Sequence, residues 1–138
     1  MDGDFVLDPR LKADTFLLAD LPLCRALLMN DCRYPWVILV PRRNGMSELY
    51  HLNEADTSQL WHESRLVSQV LMSHFRGDKL NTGALGNIVA QLHLHHIVRY
   101  QDDPAWPGPV WGHSAAQAYA NEEAETLVQT LSERMLRE

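Results

Sequence analysis

The stretch Gln91-Leu92-His93-Leu94-His95-His96-Ile97-Val98-Arg99 gathers the residues best suited to chemistry. In an extended strand side chains alternate between faces, so Gln91, His93, His95 and Arg99 fall on one side. Leu92, Leu94, His96 and Val98 fall on the other, which is apolar but for His96. Two imidazoles roughly 7 Å apart on a polar face, backed by an apolar one, make a site built on a rigid element. An imidazole with a free ring nitrogen serves as nucleophile, as acid or base, or as metal ligand, and spacing alone leaves all three open. One strand histidine is ordinarily a surface residue; an alternating pair beside a glycine-containing loop is a sharper signal. A His-x-His strand is also a metal motif, with His113 or His51 as third ligand, but no spaced carboxylate or cysteine completes the set. His96 points away from either site and reads as a hydrogen-bonded or edge-exposed histidine.

The elements that must position this pair follow from periodicity. Residues 88–100 read as one long extended run, preceded by the turn-rich loop Asn81-Thr82-Gly83-Ala84-Leu85-Gly86-Asn87, with Leu80 beginning a short strand. Residues 15–19 and 24–29 are apolar runs split by Asp20-Leu21-Pro22, a β-hairpin pattern. Trp36-Val37-Ile38-Leu39-Val40 is too short for a helix and is stopped by Pro41, and Arg42-Arg43-Asn44-Gly45 has loop chemistry. Asp8-Pro9-Arg10-Leu11-Lys12-Ala13-Asp14 holds one helical turn. Leu60, Val67, Val70, Leu71 and Phe75 follow helical spacing, with Asp56 or Thr57 available as N-cap. Residues 102–112, with three prolines and two tryptophans, read as an ordered irregular crossing. Asn121-Glu122-Glu123 caps a last helix with the stripe Ala124, Leu127, Leu131 and Met135. The order β-β-β-α-β-β-α implies an α+β fold with an antiparallel sheet.

The 138 residues fit one domain, 1–138, without room for a second. Apolar residues at 46% and charged residues at 22% exclude disorder and fibrous repeats. A net charge of −6 argues against binding a nucleic-acid polymer, whose backbone needs a basic footprint, while leaving open a small phosphate ligand. Cys24 and Cys32 form no disulfide scaffold and suit a reducing compartment. Met1-Asp2-Gly3-Asp4 lacks the features of a leader, and the longest apolar run falls far short of the roughly 20 residues that span a bilayer. The expectation is a cytoplasmic protein with no membrane association.

Gly86-Asn87-Ile88-Val89-Ala90-Gln91-Leu92-His93-Leu94-His95 resembles the histidine-triad (HIT) signature, in which a Gly-Gln-Ser/Thr loop precedes alternating histidines. Further matches lie at Asn81, at Leu28-Met29-Asn30, at the apolar strand ending in Pro41, and at Pro104-Ala105-Trp106-Pro107. The resemblance covers roughly residues 15–112 and is closest to small bacterial HIT-like proteins. It implies a mainly antiparallel sheet of about five strands with one packed helix and a C-terminal helix. It further implies a homodimer whose tail, with Trp106 and Trp111, reaches toward the partner's site.

The resemblance assigns roles residue by residue. His93 takes the position that attacks a nucleotide α-phosphorus, giving a nucleotidyl-histidine intermediate, and His95 the position that meets the phosphate and leaving group. Gly86, Asn87, Ile88 and Asn81 take phosphate-loop positions, and Asn30 the ribose contact. The sequence departs from the pattern at Gln91, where the first triad histidine belongs, at Ile88, which replaces a hydroxyl donor, and at Trp36, where an upstream histidine often approaches. Gln91 retains the backbone carbonyl that ties down one nitrogen of His93. Each lost donor weakens the transition state by ~2–4 kcal/mol, a factor of roughly 10²–10³ in rate. Two readings stand: a nucleotidyl hydrolase or transferase using no metal or other cofactor, and a nucleotide-binding module with negligible turnover. Arg42 and Arg43 read as a solvated loop, with contact to distal phosphates as the lesser alternative.

Overall fold

The sheet begins with a hairpin that turns at Leu21-Pro22. In the computed structural model, which describes residues 4–137, the chain runs α1 (Pro9–Asp14), β1 (Thr15–Asp20), β2 (Cys24–Met29), β3 (Trp36–Pro41), a 3-10 turn (Leu49–His51), α2 (Glu54–Phe75), β4 (Lys79–Gly83), β5 (Leu94–Arg99) and α3 (Asn121–Arg137). Residues 1–3, part of the segment read for a leader, and residue 138 lie outside the described residues. The five strands form one sheet in the order β1-β2-β3-β5-β4, antiparallel throughout, as the α+β expectation required.

Both faces of this sheet are covered, which explains why all six residues of β3 and of β5 are buried. One face carries Leu28, Val37, Leu39, Leu94 and Val98 against Leu60, Val67 and Leu71 of α2 and Leu131 and Met135 of α3. The other carries Leu27, Trp36, Ile38 and Ile97 against Leu11, Tyr34, Ala105 and Val110. Alternation therefore sorts β5 as expected: His95 joins the second face, and His96 the first. His96 is fully buried, with Nδ1 3.3 Å from the Val37 carbonyl and Nε2 2.7 Å from Ser64 Oγ. A carbonyl only accepts, so the ring proton sits on Nδ1 and the Ser64 hydroxyl donates to Nε2. This contact bolts β5 to α2.

Several local expectations are corrected. Residues 88–100 are not one strand: β5 begins at Leu94, and residues 88–93 are irregular, held by the Leu92 N–H donating to the Met46 carbonyl. Asn81-Thr82-Gly83 is not a turn but the second half of β4, paired with Ile97, His96 and His95. Its glycine has a packing reason, since a Cβ on Gly83 would stand 3.3 Å from the Trp111 ring. The N-cap of α2 is Asn53, whose side chain accepts from the Asp56 N–H, rather than Asp56 or Thr57. Arg42 and Arg43 are not merely solvated. Arg42 donates to the Leu21 carbonyl, and Arg43 pairs with Asp56 at 2.8 Å, tying the loop to α2.

Helix α2 ends in a left-handed Arg76 (φ 52°) followed by Gly77, where the chain turns back against β5. A Cβ on Gly77 would overlap Val98 Cγ1 and lie 3.3 Å from the Arg99 carbonyl. Val98 is β-branched and fully buried, so it cannot swing aside. Gly77→Ala should therefore destabilise the protein by about 1–3 kcal/mol, measured as a lower urea midpoint. An unchanged midpoint would show that this crossing is looser than its packing indicates.

The polar side of β5 ends in a buried ion pair. Arg99 makes two hydrogen bonds to Asp103, at 2.8 and 3.0 Å, and a third to Asn81 Oδ1 at 2.8 Å. Its guanidinium lies beside the rings of Tyr34 and Trp106. Asp103 also accepts from the Tyr100, Ala105 and Trp106 N–H groups, so it organises the turn that launches the tail. Burial works to raise the Asp103 carboxyl, but the Arg99 hydrogen bonds and these amides outweigh it and hold it down to about 2. Asp103→Asn should cost about 3–5 kcal/mol, because it leaves a buried guanidinium without its counter-charge. Chemical denaturation measures that loss, and a cost below 1 kcal/mol would contradict the assignment.

Candidate functional site

A cleft of about 420 Å³ opens on the second face of the sheet, with His93 and His95 in its wall. Four parts of the chain meet there. Helix α1 supplies Arg10, Leu11 and Asp14; strands β2 and β3 supply Met29, Trp36 and Ile38; the loop before β5 supplies residues 85–89; the tail supplies Trp111. The surface is mainly apolar with a few polar groups, as in sites that enclose a small organic ligand.

The two imidazoles are closer than an ideal strand predicts, with ring centroids 4.8 Å apart, edge to face. The reason is local. His93 precedes the first residue of β5, and its Nδ1 turns back to the Gln91 carbonyl at 2.6 Å. Because that oxygen can only accept, Nδ1 carries the proton, and in the neutral ring the lone pair is on Nε2. The expected carbonyl anchor is thus present, although glutamine replaces histidine at this position. The Gln91 carboxamide itself is directed elsewhere, donating to the Val6 carbonyl and accepting from the Asp8 N–H. Gln91 itself precedes β5 and does not line the cleft, so its place follows from these bonds rather than from strand alternation. Its side chain secures the segment entering α1.

His95 sits between two indoles, with ring centroids 5.7 Å from Trp36 and 5.5 Å from Trp111. Its Nδ1 accepts from Trp36 Nε1–H at 3.0 Å. Register accounts for this contact: Ile38 faces His95 across the β3–β5 pair, so Trp36 lies two residues along on the same face. Burial, followed by the neighbouring His93 and His96 rings, pushes His95 down to about 3. At neutral pH His95 is an uncharged ring.

The loop beside this pair has the properties of an anion cradle. Gly86 has φ 80°, a backbone shape that glycine adopts without strain. Among the described residues, the N–H groups of Asn87, Ile88 and Val89 donate to no protein acceptor. Successive free amides of this kind are suited to phosphate oxygens. Gly86, Asn87 and Ile88 line the cleft as the sequence reading placed them, and Ile88 is exposed at its mouth.

Asn30 and Asn81 are not among the cleft residues. Asn30 Oδ1 accepts from the Tyr119 N–H, lashing the returning tail to the end of β2, and Asn81 Oδ1 accepts from Arg99. Trp111 lines the cleft of its own chain. Sequence reasoning missed Arg10, Leu11, Asp14, Met29 and Ile38, which reach the site from up to 85 positions away. Only their place on the inner faces of helix and strand hints at it. His51 caps the 3-10 turn and His113 lies beside Ser114, and no group of three potential metal ligands occurs among the described residues. Cys24 is buried and Cys32 exposed, both free thiols. No helix among the described residues is long and apolar enough to cross a membrane.

Comparison with known proteins places this geometry in context. The sequence model of the HIT domain matches residues 10–102. A histidine triad protein from Marinobacter aquaeolei is 51% identical over 98% of each chain, with a TM-score of 0.92. One from Sinorhizobium meliloti is 44% identical, covers 95% of this chain and 97% of its own, and has the same TM-score. A hypothetical histidine triad nucleotide-binding protein from Sulfolobus tokodaii shares the fold at 16% identity, with a TM-score of 0.67 over 89% of this chain and 85% of its own. No curated protein matches the chain.

Proposed function

This chain belongs to the HIT family, and from that premise we propose that it hydrolyses or transfers a nucleoside monophosphate group through a covalent intermediate on His93. The Gln91 carbonyl carries the reading: by holding the proton of His93 on Nδ1, it leaves Nε2 as a nucleophile in the wall of the cleft. Nε2 forms a bond to the α-phosphorus while the bond to the leaving group breaks. Water then attacks phosphorus, the N–P bond breaks with its electron pair returning to Nε2, and the water's proton passes to solvent.

The amides of Asn87 and Ile88 receive the phosphate oxygens, and His95 meets the phosphate and leaving group. Imidazole supplies the nucleophile and amides the charge stabilisation, so this route calls for no metal or other cofactor. Arg10 and Asp14 offer polar contacts at the rim, whereas the side-chain oxygens of Asn30 and Asn81 accept from the Tyr119 N–H and Arg99. On the same reading the protein is a cytoplasmic homodimer acting on a small nucleotide, not on a nucleic-acid polymer.

Mixing the enzyme with a diadenosine polyphosphate and quenching without acid tests this directly. The expected result is a mass increase of one adenylate on the peptide that contains His93. Tight nucleotide binding with no product and no adduct would instead favour a binding module, for which Gln91 in place of the first triad histidine and Ile88 in place of a hydroxyl donor are the motivating observations.

A further inference from the structure

We propose that Trp36 is a positioning residue that fixes His95 as the neutral Nε2–H tautomer, and thereby confines the site to leaving groups that depart as stable oxygen anions. This rests on the nucleotidyl-transfer reading above and specifies its substrate class. The indole nitrogen has a hydrogen and no available lone pair, so it can only donate. At 3.0 Å from Nδ1 it requires that nitrogen to be unprotonated, which leaves the ring's single proton on Nε2. Trp36 and His95 are 7% exposed each, so water has little access to replace the contact. A second proton on His95 would have to displace the indole. The burial and neighbouring rings that hold His95 near 3 act in the same direction.

The consequence concerns the departing group. Neutral His95 can donate a hydrogen bond from Nε2–H to an oxygen, stabilising developing charge. It cannot surrender that proton, because the product would be an imidazolate. When Nε2 of His93 bonds to phosphorus and a P–O bond breaks, the bonding pair leaves on a phosphate oxygen that needs no proton. When a P–N bond breaks, the pair leaves on an amine nitrogen, which must be protonated as it goes. The site as built assists the first cleavage and does not supply the acid for the second. A nucleoside polyphosphate, losing a phosphate or a nucleotide, therefore fits better than a nucleoside phosphoramidate.

Two measurements test this. In ¹⁵N-labelled wild-type protein at pH 7, His95 should show a pyridine-like Nδ1 and a pyrrole-like Nε2, and Trp36→Phe should lose that fixed pattern. In activity assays, kcat/KM for diadenosine tetraphosphate should exceed that for adenosine 5′-phosphoramidate by at least 100-fold. Trp36→Phe should shrink the ratio at least tenfold, because a neutral ring free to carry its proton on Nδ1 no longer donates from Nε2 to the departing oxygen. A wild-type His95 protonated on Nδ1 overturns the proposal without recourse to any variant, so a poorly folded Trp36→Phe does not rescue it. Equal use of the two substrates by the wild type also overturns it. If neither substrate is turned over and His93 acquires no adenylate, the functional reading falls, and the tautomer spectrum still decides the role of Trp36.

Discussion

Replacing His93 with glutamine is expected to lower turnover of a nucleoside polyphosphate by on the order of 10⁴-fold or more. The side-chain amide of glutamine can still donate to the Gln91 carbonyl, so the substitution removes the nucleophile while retaining a donor for the anchor. The adenylated protein should disappear along with the activity. The cleft walls and the free amides of residues 87–89 remain, so nucleotide affinity should change far less than kcat. Turnover within tenfold of wild type would show that another group, or water attacking directly, cleaves the bond. Loss of both affinity and folding would be visible in a melting curve and would be read separately.

Stability should fall steeply as the pH drops from 6.5 to 5, above the range in which most ordinary carboxylates titrate. His95 and His96 are held down to about 3 and about 4, against an ordinary value of 6.5. In both cases burial is the main cause. In that window the unfolded chain binds a proton at each residue and the folded protein does not, so acid favours unfolding. The stabilisation is complete above 6.5 and is lost as the pH falls toward the folded values. Two protons correspond to a slope of up to about 2.7 kcal/mol per pH unit. Urea unfolding at half-unit intervals measures it, and His96→Asn should remove about half the slope. A flat profile between pH 6.5 and 5 would mean that both rings ionise in place, contrary to their burial.

What was legible in the sequence was what local pattern encodes. The hairpin at residues 15–29 follows from two apolar runs around Leu21-Pro22, and the two-sided burial of β3 follows from its unbroken apolar composition. His93 and His95 stood out because two imidazoles at alternate positions are a local signal. The errors arose where distant residues decide local structure. Gly83 reads as a turn glycine until the Trp111 ring is seen lying on it. The tie of Asn30 to the Tyr119 N–H, 89 positions later, is likewise invisible from its own strand. The bonds of the Gln91 carboxamide to backbone groups more than 80 positions earlier have no local signal either. The Trp36–His95 hydrogen bond needed the β3–β5 register, which no single strand contains.

The contact between Ser64 and His96 has a consequence for how this protein can evolve. His95 lies on the cleft side of β5, while the strand is gripped from the reverse side by the Ser64 hydroxyl of α2, a helix that contributes nothing to the cleft wall. A change in how that helix seats would shift the strand and with it His95, leaving every residue of the cleft wall in its original form. Selection for faster turnover or an altered preference should therefore enrich distal changes around Ser64 as well as changes in the cleft wall. Laboratory libraries restricted to the cleft would overlook that route.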